Sequence, residues 1–276
     1  MPELPEVETV KQQLKPLLIG RTIKSVTILY DKVVRTSLET FKKELINQTF
    51  QDISRYGKYL LFELDDYTLV SHLRMEGKYF LRQSMKDITK HDHIVFHLDN
   101  DLQLTYHDVR KFGTMELVEK GKALDLQSIR KLGPEVNDPN LGTVDIYPKI
   151  KSSSRAIKSI LLDQTVMTGL GNIYVDESLF LAKIHPETKG NSLTFEDVES
   201  ILFAAKTVIK KAISLGGTTI RTYQSTVGVD GRFQNELNVH TLAGQACPIC
   251  QEEIIKIKVG GRGTYLCPHC QQKESL

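Results

Sequence analysis

Two groups of residues in this chain are equipped for chemistry. The first opens it: Met1-Pro2-Glu3-Leu4-Pro5-Glu6-Val7-Glu8-Thr9. With Met1 removed, Pro2 would carry a free secondary amine. An α-amine titrates near 7.7–8.0, against roughly 10.4 for a lysine, so a useful fraction is neutral at physiological pH. A neutral amine can attack a carbonyl carbon and form a Schiff base, and Glu3 places a carboxyl group beside it that could move protons. The plainer alternative is that Pro2 and Pro5 only shape a helix start, where proline is common.

The second group is the full set of cysteines, Cys247, Cys250, Cys267 and Cys270, written Cys-Pro-Ile-Cys, sixteen residues, Cys-Pro-His-Cys. Each knuckle can offer two thiolates to one ion, and four complete a tetrahedral Zn²⁺ shell. Two disulfides or free thiols are the alternative, disfavoured in a cytosolic chain. His269 is a substitute ligand, but the symmetric spacing favours four sulfurs. With no position open for water, this zinc is structural, holding 251–266 as a hairpin too small to fold unaided. Arg262 then lies at or near the tip, in Gly260-Gly261-Arg262-Gly263. Glycines there let the backbone approach a ligand, and the guanidinium could clamp phosphate.

Other signals are weaker alone. Gly169-Leu170-Gly171-Asn172 precedes a helix starting near Ile173. Free N–H groups at such a terminus suit a phosphate, although a turn and cap explain the pattern equally. Lys58 follows Gly57 at the head of an apolar strand, where an exposed end charge is the commoner reading. His91 and His93 form a His-x-His pair better suited to hydrogen bonding than to metal. Asp108-Val109-Arg110-Lys111-Phe112-Gly113 puts a cation and an aromatic two apart, on one face if extended. The pair either fills a gap in a base stack or is a core Phe beside a surface Arg.

The elements that must carry these groups read as α+β. Val7, Val10, Leu14 and Leu17-Leu18 predict a helix over 5–18 ending at Gly20, with Pro16 disturbing its last turn. Short apolar runs predict strands at 22–29, 49–54, 58–64, 69–73, 78–81, 93–98, 103–107 and 114–118, with turns at Asp65-Asp66 and Asp99-Asn100-Asp101. Eight such strands suggest a two-sheet β-sandwich. After a linker marked by Gly133-Pro134 and Pro139, helices are predicted near 153–164, 173–184 and 194–215, the last with Thr194 and Asp197 at capping-box spacing. Residues 173–215 outline a helix–two-turns–helix unit, and 218–246 a long loop and connector. The expected domains are 1–130, 131–238 and 239–276.

At 276 residues, 40 % hydrophobic and 25 % charged, the composition is globular. No apolar run approaches the roughly 20 residues that span a bilayer, and Glu3, Glu6 and Glu8 do not fit a basic secretory start. A cytoplasmic location with no membrane partner is expected, and a monomer. Net charge is only +2. Three stretches nevertheless lack acids: Lys149 to Lys158, Lys206 to Arg221 and Lys256 to Lys273. They could combine into a basic face for a polyanion, though each alone reads as solvated surface.

Taken together, Pro-Glu-Leu-Pro-Glu-Val-Glu-Thr, Gly-Leu-Gly-Asn-Ile-Tyr and the terminal four-cysteine finger resemble the bacterial formamidopyrimidine-DNA glycosylases, from Pro2 to Cys270. The resemblance implies a β-sandwich, a helix-two-turn-helix domain and a zinc hairpin finger. It further implies damaged double-stranded DNA as partner, one structural Zn²⁺, nucleoid association while acting, and a glycosylase and abasic-site lyase for oxidised purines. Pro2 would attack C1′, Glu3 would protonate the sugar ring oxygen, Lys58 would serve β-elimination, and Arg262 would bind the lesion phosphate and assist δ-elimination. His91, Arg110, Arg155 and Asn172 would contact DNA. Met75, with Arg110 and Phe112, would fill the void left by an extruded base, limiting an unstacking cost of a few kcal/mol. The segment 218–233 matches the loop that closes over that base in relatives. An endonuclease VIII-like enzyme for oxidised pyrimidines and a non-catalytic zinc-dependent DNA-binding protein are the competing readings. The Leu-Pro-Glu-Val-Glu-Thr run with Met75, Arg110 and Phe112 disfavours the first, and Pro2, Glu3 and Lys58 would have no role in the second.

Overall fold

The computed structural model describes residues 2–218 and 231–273. The chain divides into two compact units, Met1–Arg130 with Gly216–Gly231 and Lys131–Leu215 with Arg232–Leu276. Among the described residues, no helix is long and apolar enough to cross a membrane.

The first unit begins with α1 (Leu4–Leu18), whose Val7, Val10, Leu14 and Leu18 are fully buried along one stripe. Pro16 lies inside the last turn without ending it. Eight strands follow, close to their expected places: β1 (Ile23–Ile28), β2 (Asp52–Tyr56), β3 (Tyr59–Glu63), β4 (Tyr67–His72), β5 (Lys78–Arg82), β6 (Asp92–Leu98), β7 (Gln103–His107) and β8 (Thr114–Glu119). They form two antiparallel four-stranded sheets, ordered β1-β6-β7-β5 and β2-β3-β4-β8. One core takes Phe41, Phe62, Tyr79, Phe96, Tyr106 and Met115 together with the α1 stripe. Short helices α2 (Leu38–Leu45) and α3 (Gln127–Arg130) were not expected. The first is capped by the Ser37 hydroxyl, which accepts from the Thr40 N–H.

In the second unit, α4 (Thr143–Lys151) was not among the predicted helices, and Pro148 sits inside it. Helix α5 (Ile157–Leu161) is shorter than expected. Ala156 before it is extended and bridges to Lys189, so the helix cannot start earlier. Helix α6 (Asn172–Leu181) is buried without a break from Tyr174 to Phe180, and α7 (Phe195–Ser214) has the expected Thr194–Asp197 capping box. Strands β9 (Ile255–Val259) and β10 (Arg262–Leu266) pair as the predicted finger hairpin. The expected loop at 218–233 lies mostly outside the described residues, which omit 219–230.

Candidate active site and nucleic-acid interface

Pro2 and Glu3 are both buried, and Glu3 caps α1. The Glu6 carboxylate does two things at once. One oxygen accepts the Glu3 N–H at 2.8 Å, and the other accepts the Thr218 N–H at 2.7 Å and the Thr218 hydroxyl at 3.0 Å. It therefore ties the chain start to the last described residue before 219. Gly217 is obligatory there: its φ is +76°, and a Cβ would lie 2.7 Å from a Glu6 oxygen. The role of Glu6 was missed in the sequence, although its spacing from Glu3 is that of a capping box.

Lys58 is neither in a strand nor an exposed end charge, as its sequence position suggested. Tyr56 pairs with Tyr59, so Gly57 and Lys58 form a two-residue hairpin turn, with Gly57 at φ +58°. Lys58 is only 7 % exposed. The turn is fastened to α1 through Arg55, which donates to the Gly57 carbonyl and to Glu8, both at 3.0 Å. Burial alone would raise the Glu8 carboxyl, but hydrogen bonds from Lys11 and Arg55 hold it below its ordinary range. Thus Pro2, Glu3 and Lys58 are all positioned from one helix.

The Lys58 turn shares its sheet end with His72, which sequence reasoning passed over. His72 is 8 % exposed, packs edge-on against Tyr59 at 4.4 Å, and its Nδ1 accepts the Arg74 N–H at 3.0 Å. Burial, with Arg74 and Lys58 adding positive charge nearby, pushes it down to about 3. The ring is neutral at physiological pH, with its proton on Nε2.

Asp108-to-Gly113 is a turn rather than an extended segment. The buried Asp108 carboxylate accepts N–H groups from Arg110, Phe112 and Gly113 at 2.8–2.9 Å, and Lys111 takes φ +60°. Arg110 and Phe112 still share a side, because the guanidinium lies 5.0 Å from the ring centre. Phe112 is 53 % exposed, so it is no core residue. Met75 sits in the turn after β4. A Cβ on Gly77 or on Gly113 would collide with the Tyr106 hydroxyl, so both loops are packed against one tyrosine. His93 is buried and bonded through Nε2 to the Asp108 carbonyl at 2.7 Å, whereas His91 stacks edge-on against His107. Neither belongs to a metal cluster among the described residues.

In the second unit the four cysteine sulfurs lie within 4.8 Å of one another. Close pairs at 3.4 and 3.9 Å bracket the ~3.8 Å edge of a tetrahedron with 2.3 Å Zn–S bonds. Backbone N–H groups of Ile249 and Cys270 point at the sulfurs of Cys247 and Cys267. The set fits a structural Zn²⁺ with no open position.

Gly260 and Gly261, both at positive φ, make the hairpin turn, and Arg262 begins β10 exposed to solvent. Its strand is fixed from below. Asn172, first residue of α6, donates to the Gly263 carbonyl at 3.0 Å, and so does Lys158. Lys158 is not on a solvated face, as its basic stretch suggested, but fully buried and paired to Asp176 at 2.6 Å. Asp176 also accepts from Tyr265 N–H and bonds His240 Nδ1. The Oδ1 atom of Asn172 is buried and makes no hydrogen bond. Arg155 is exposed and paired to Asp163 at 3.0 Å. Lys151 and Lys206 donate to backbone carbonyls, so part of the basic charge serves the fold.

Comparison with known proteins agrees along the whole chain. Residues 1–115 match the formamidopyrimidine-DNA glycosylase N-terminal domain, 132–224 the H2TH domain of the same enzymes, and 244–273 the zinc finger found in FPG and IleRS. The formamidopyrimidine-DNA glycosylase of Lactobacillus delbrueckii is 46 % identical over 99 % of this chain and 100 % of its own, and that of Listeria innocua 45 % over the same shares. Among solved structures, Lactococcus lactis Fpg superposes with a TM-score of 0.93 both in its complex with abasic-site DNA and in one with N7-benzyl-Fapy-dG DNA. The two are 48 % and 47 % identical, each over 99 % of this chain and 100 % of its own. The chain belongs to the formamidopyrimidine-DNA glycosylase family.

Proposed function

We propose that this protein excises oxidised purines (8-oxoguanine and formamidopyrimidines) from damaged double-stranded DNA and then cleaves the abasic strand by β,δ-elimination. The observation that carries the reading is the common anchoring of Pro2, Glu3 and the Lys58 turn on α1 through Glu6, Glu8 and Arg55. Once Met1 is removed, the Pro2 nitrogen attacks C1′ and the bond to the base breaks. Glu3 delivers a proton to the ring oxygen as the sugar opens, leaving an iminium between Pro2 and C1′. That iminium acidifies the C2′ proton, whose loss expels the 3′ phosphate. Lys58 serves this step, and Arg262 holds the lesion phosphate and assists loss of the 5′ phosphate. Electrons flow into the iminium at each elimination, and hydrolysis returns the amine.

Met75, Arg110 and Phe112 fill the vacated stack, and His91, Asn172 and Arg155 contact the backbone. For Arg155 this requires release from Asp163, which costs little at an exposed pair. The zinc maintains the hairpin that presents Arg262. We assign the three functional regions to 1–130, 131–238 and 239–276, and the working state to a cytoplasmic monomer on nucleoid DNA.

The test is borohydride trapping on a duplex bearing one 8-oxoguanine, with peptide mapping. An adduct at Pro2 is expected. A bound duplex with no adduct, Met1 being absent, would refute the mechanism.

A further inference from the structure

Arg35 and Arg74 stand apart from most of the first unit's arginines. Arg21, Arg55 and Arg82 are each paired with a carboxylate, and Arg110 lies over Phe112. Among the described residues, the guanidiniums of Arg35 and Arg74 make neither an ion pair nor a hydrogen bond. Both line a cavity of about 270 Å³ with Tyr59, Val70, Thr114, Glu116 and Ser128.

The backbone holds this cavity in shape. The Arg35 N–H donates to the Met115 carbonyl at 2.8 Å, which pins Arg35 beside β8. Arg74 takes φ +54° and bonds its N–H to His72. Tyr59, His72 and Thr114 are direct neighbours across β3, β4 and β8. The cavity is therefore at the sheet end where Lys58 precedes Tyr59, Met75 follows Arg74, and the Arg110–Phe112 turn enters β8.

We propose that this cavity is a phosphate subsite that seats one phosphodiester of the bound duplex; the proposal rests on the DNA-repair reading above. The chemistry is that of a tetrahedral anion. Two guanidiniums supply forked donors, and the hydroxyl-bearing residues Tyr59, Thr114 and Ser128 add further donors. Glu116 opposes the anion but leaves a net positive lining. Placement beside the loops that carry Met75 and Arg110 makes a backbone phosphate the occupant, because a stack opened by those loops must have its strand held close by.

The experiment measures affinity for a duplex with a tetrahydrofuran abasic analogue, and for its undamaged counterpart, between 50 and 200 mM salt. Arg35→Gln, Arg74→Gln and the double variant are compared with the wild type. The double variant should bind both duplexes about tenfold more weakly, with a log–log salt slope shallower by about 0.9, the value for one phosphate released from contact. Glu116→Gln should shift affinity the other way, which a merely structural role would not do. The double variant should still trap at Pro2 at saturating DNA. Failure of trapping in the wild type would refute the glycosylase reading, while the salt slope reports the subsite independently. Unchanged affinity and slope would overturn the proposal. Titration with inorganic phosphate distinguishes the sources: phosphate binding lost in the double variant, with duplex affinity untouched, would reassign the cavity to a free phosphate and equally overturn a DNA contact.

Discussion

The neutral His72 makes the first unit acid-sensitive. Its ring is held down to about 3 by burial and by the charges of Arg74 and Lys58, while an unfolded histidine titrates near 6.5. Between these values the unfolded chain binds a proton that the native ring refuses, so stability rises with pH across the window and falls on acidification. At 1.36 kcal/mol per pH unit, moving to pH 5 costs about 2 kcal/mol, and the whole window roughly 5 kcal/mol. His72→Asn keeps an acceptor for the Arg74 N–H and removes the titration. Opening free energies of amides in β3, β4 and β8, from hydrogen exchange under native conditions, read this unit alone. The variant will be less stable at pH 7, having lost the contact with Tyr59. Between pH 7 and 5, however, the wild type should lose about 2 kcal/mol more than the variant. Carboxylates common to both proteins cancel in that difference. Equal losses would show that His72 is protonated in the folded state and that the packing argument is wrong.

Two further outcomes follow from the same geometry. Stripping zinc with a chelator should unfold 247–270, exposing the hairpin to protease while α1 and the two sheets stay protected; a finger that remains resistant would contradict a metal-held fold. Arg55→Met should spare imine trapping at Pro2 yet slow strand cleavage by tenfold or more, because a ~1 Å misplacement of a catalytic group can cost about 10². An unchanged ratio of cleavage to trapping would show that the Lys58 turn does not depend on Arg55.

Much of this architecture was legible because it follows periodicity. The α1 stripe, eight strands and the α7 cap are local patterns, and the four-cysteine spacing leaves one sensible ligand set. Helix α4 escaped because Pro148 reads as a breaker, although the sequence leading to it carries an Asp145 cap to the Gly142 N–H. Lys158 escaped for another reason. A lysine in a basic run looks solvated until Asp176, eighteen residues on, and a carbonyl more than a hundred residues away are seen to surround it. Three supports of the site, Glu6, Arg55 and His72, were equally hidden, since Thr218, Glu8 and Tyr59 are brought to them by the tertiary fold. Lys58 was picked out by its motif, but its burial in a turn was not.

The Asp108 carboxylate, which gathers three N–H groups of its own turn, bears on how a duplex would be searched. A six-residue segment that ordered itself only on meeting DNA would lose roughly 1–2 kcal/mol of backbone freedom per residue at every step inspected. Here that ordering is completed during folding, so in the insertion role proposed above Phe112 and Arg110 would reach DNA already fixed. What varies from one base pair to the next is then the compliance of the DNA alone. In that role a weakened stack would yield to the pair and an intact one would turn it aside, making the first discrimination mechanical and prior to any reading of the base itself.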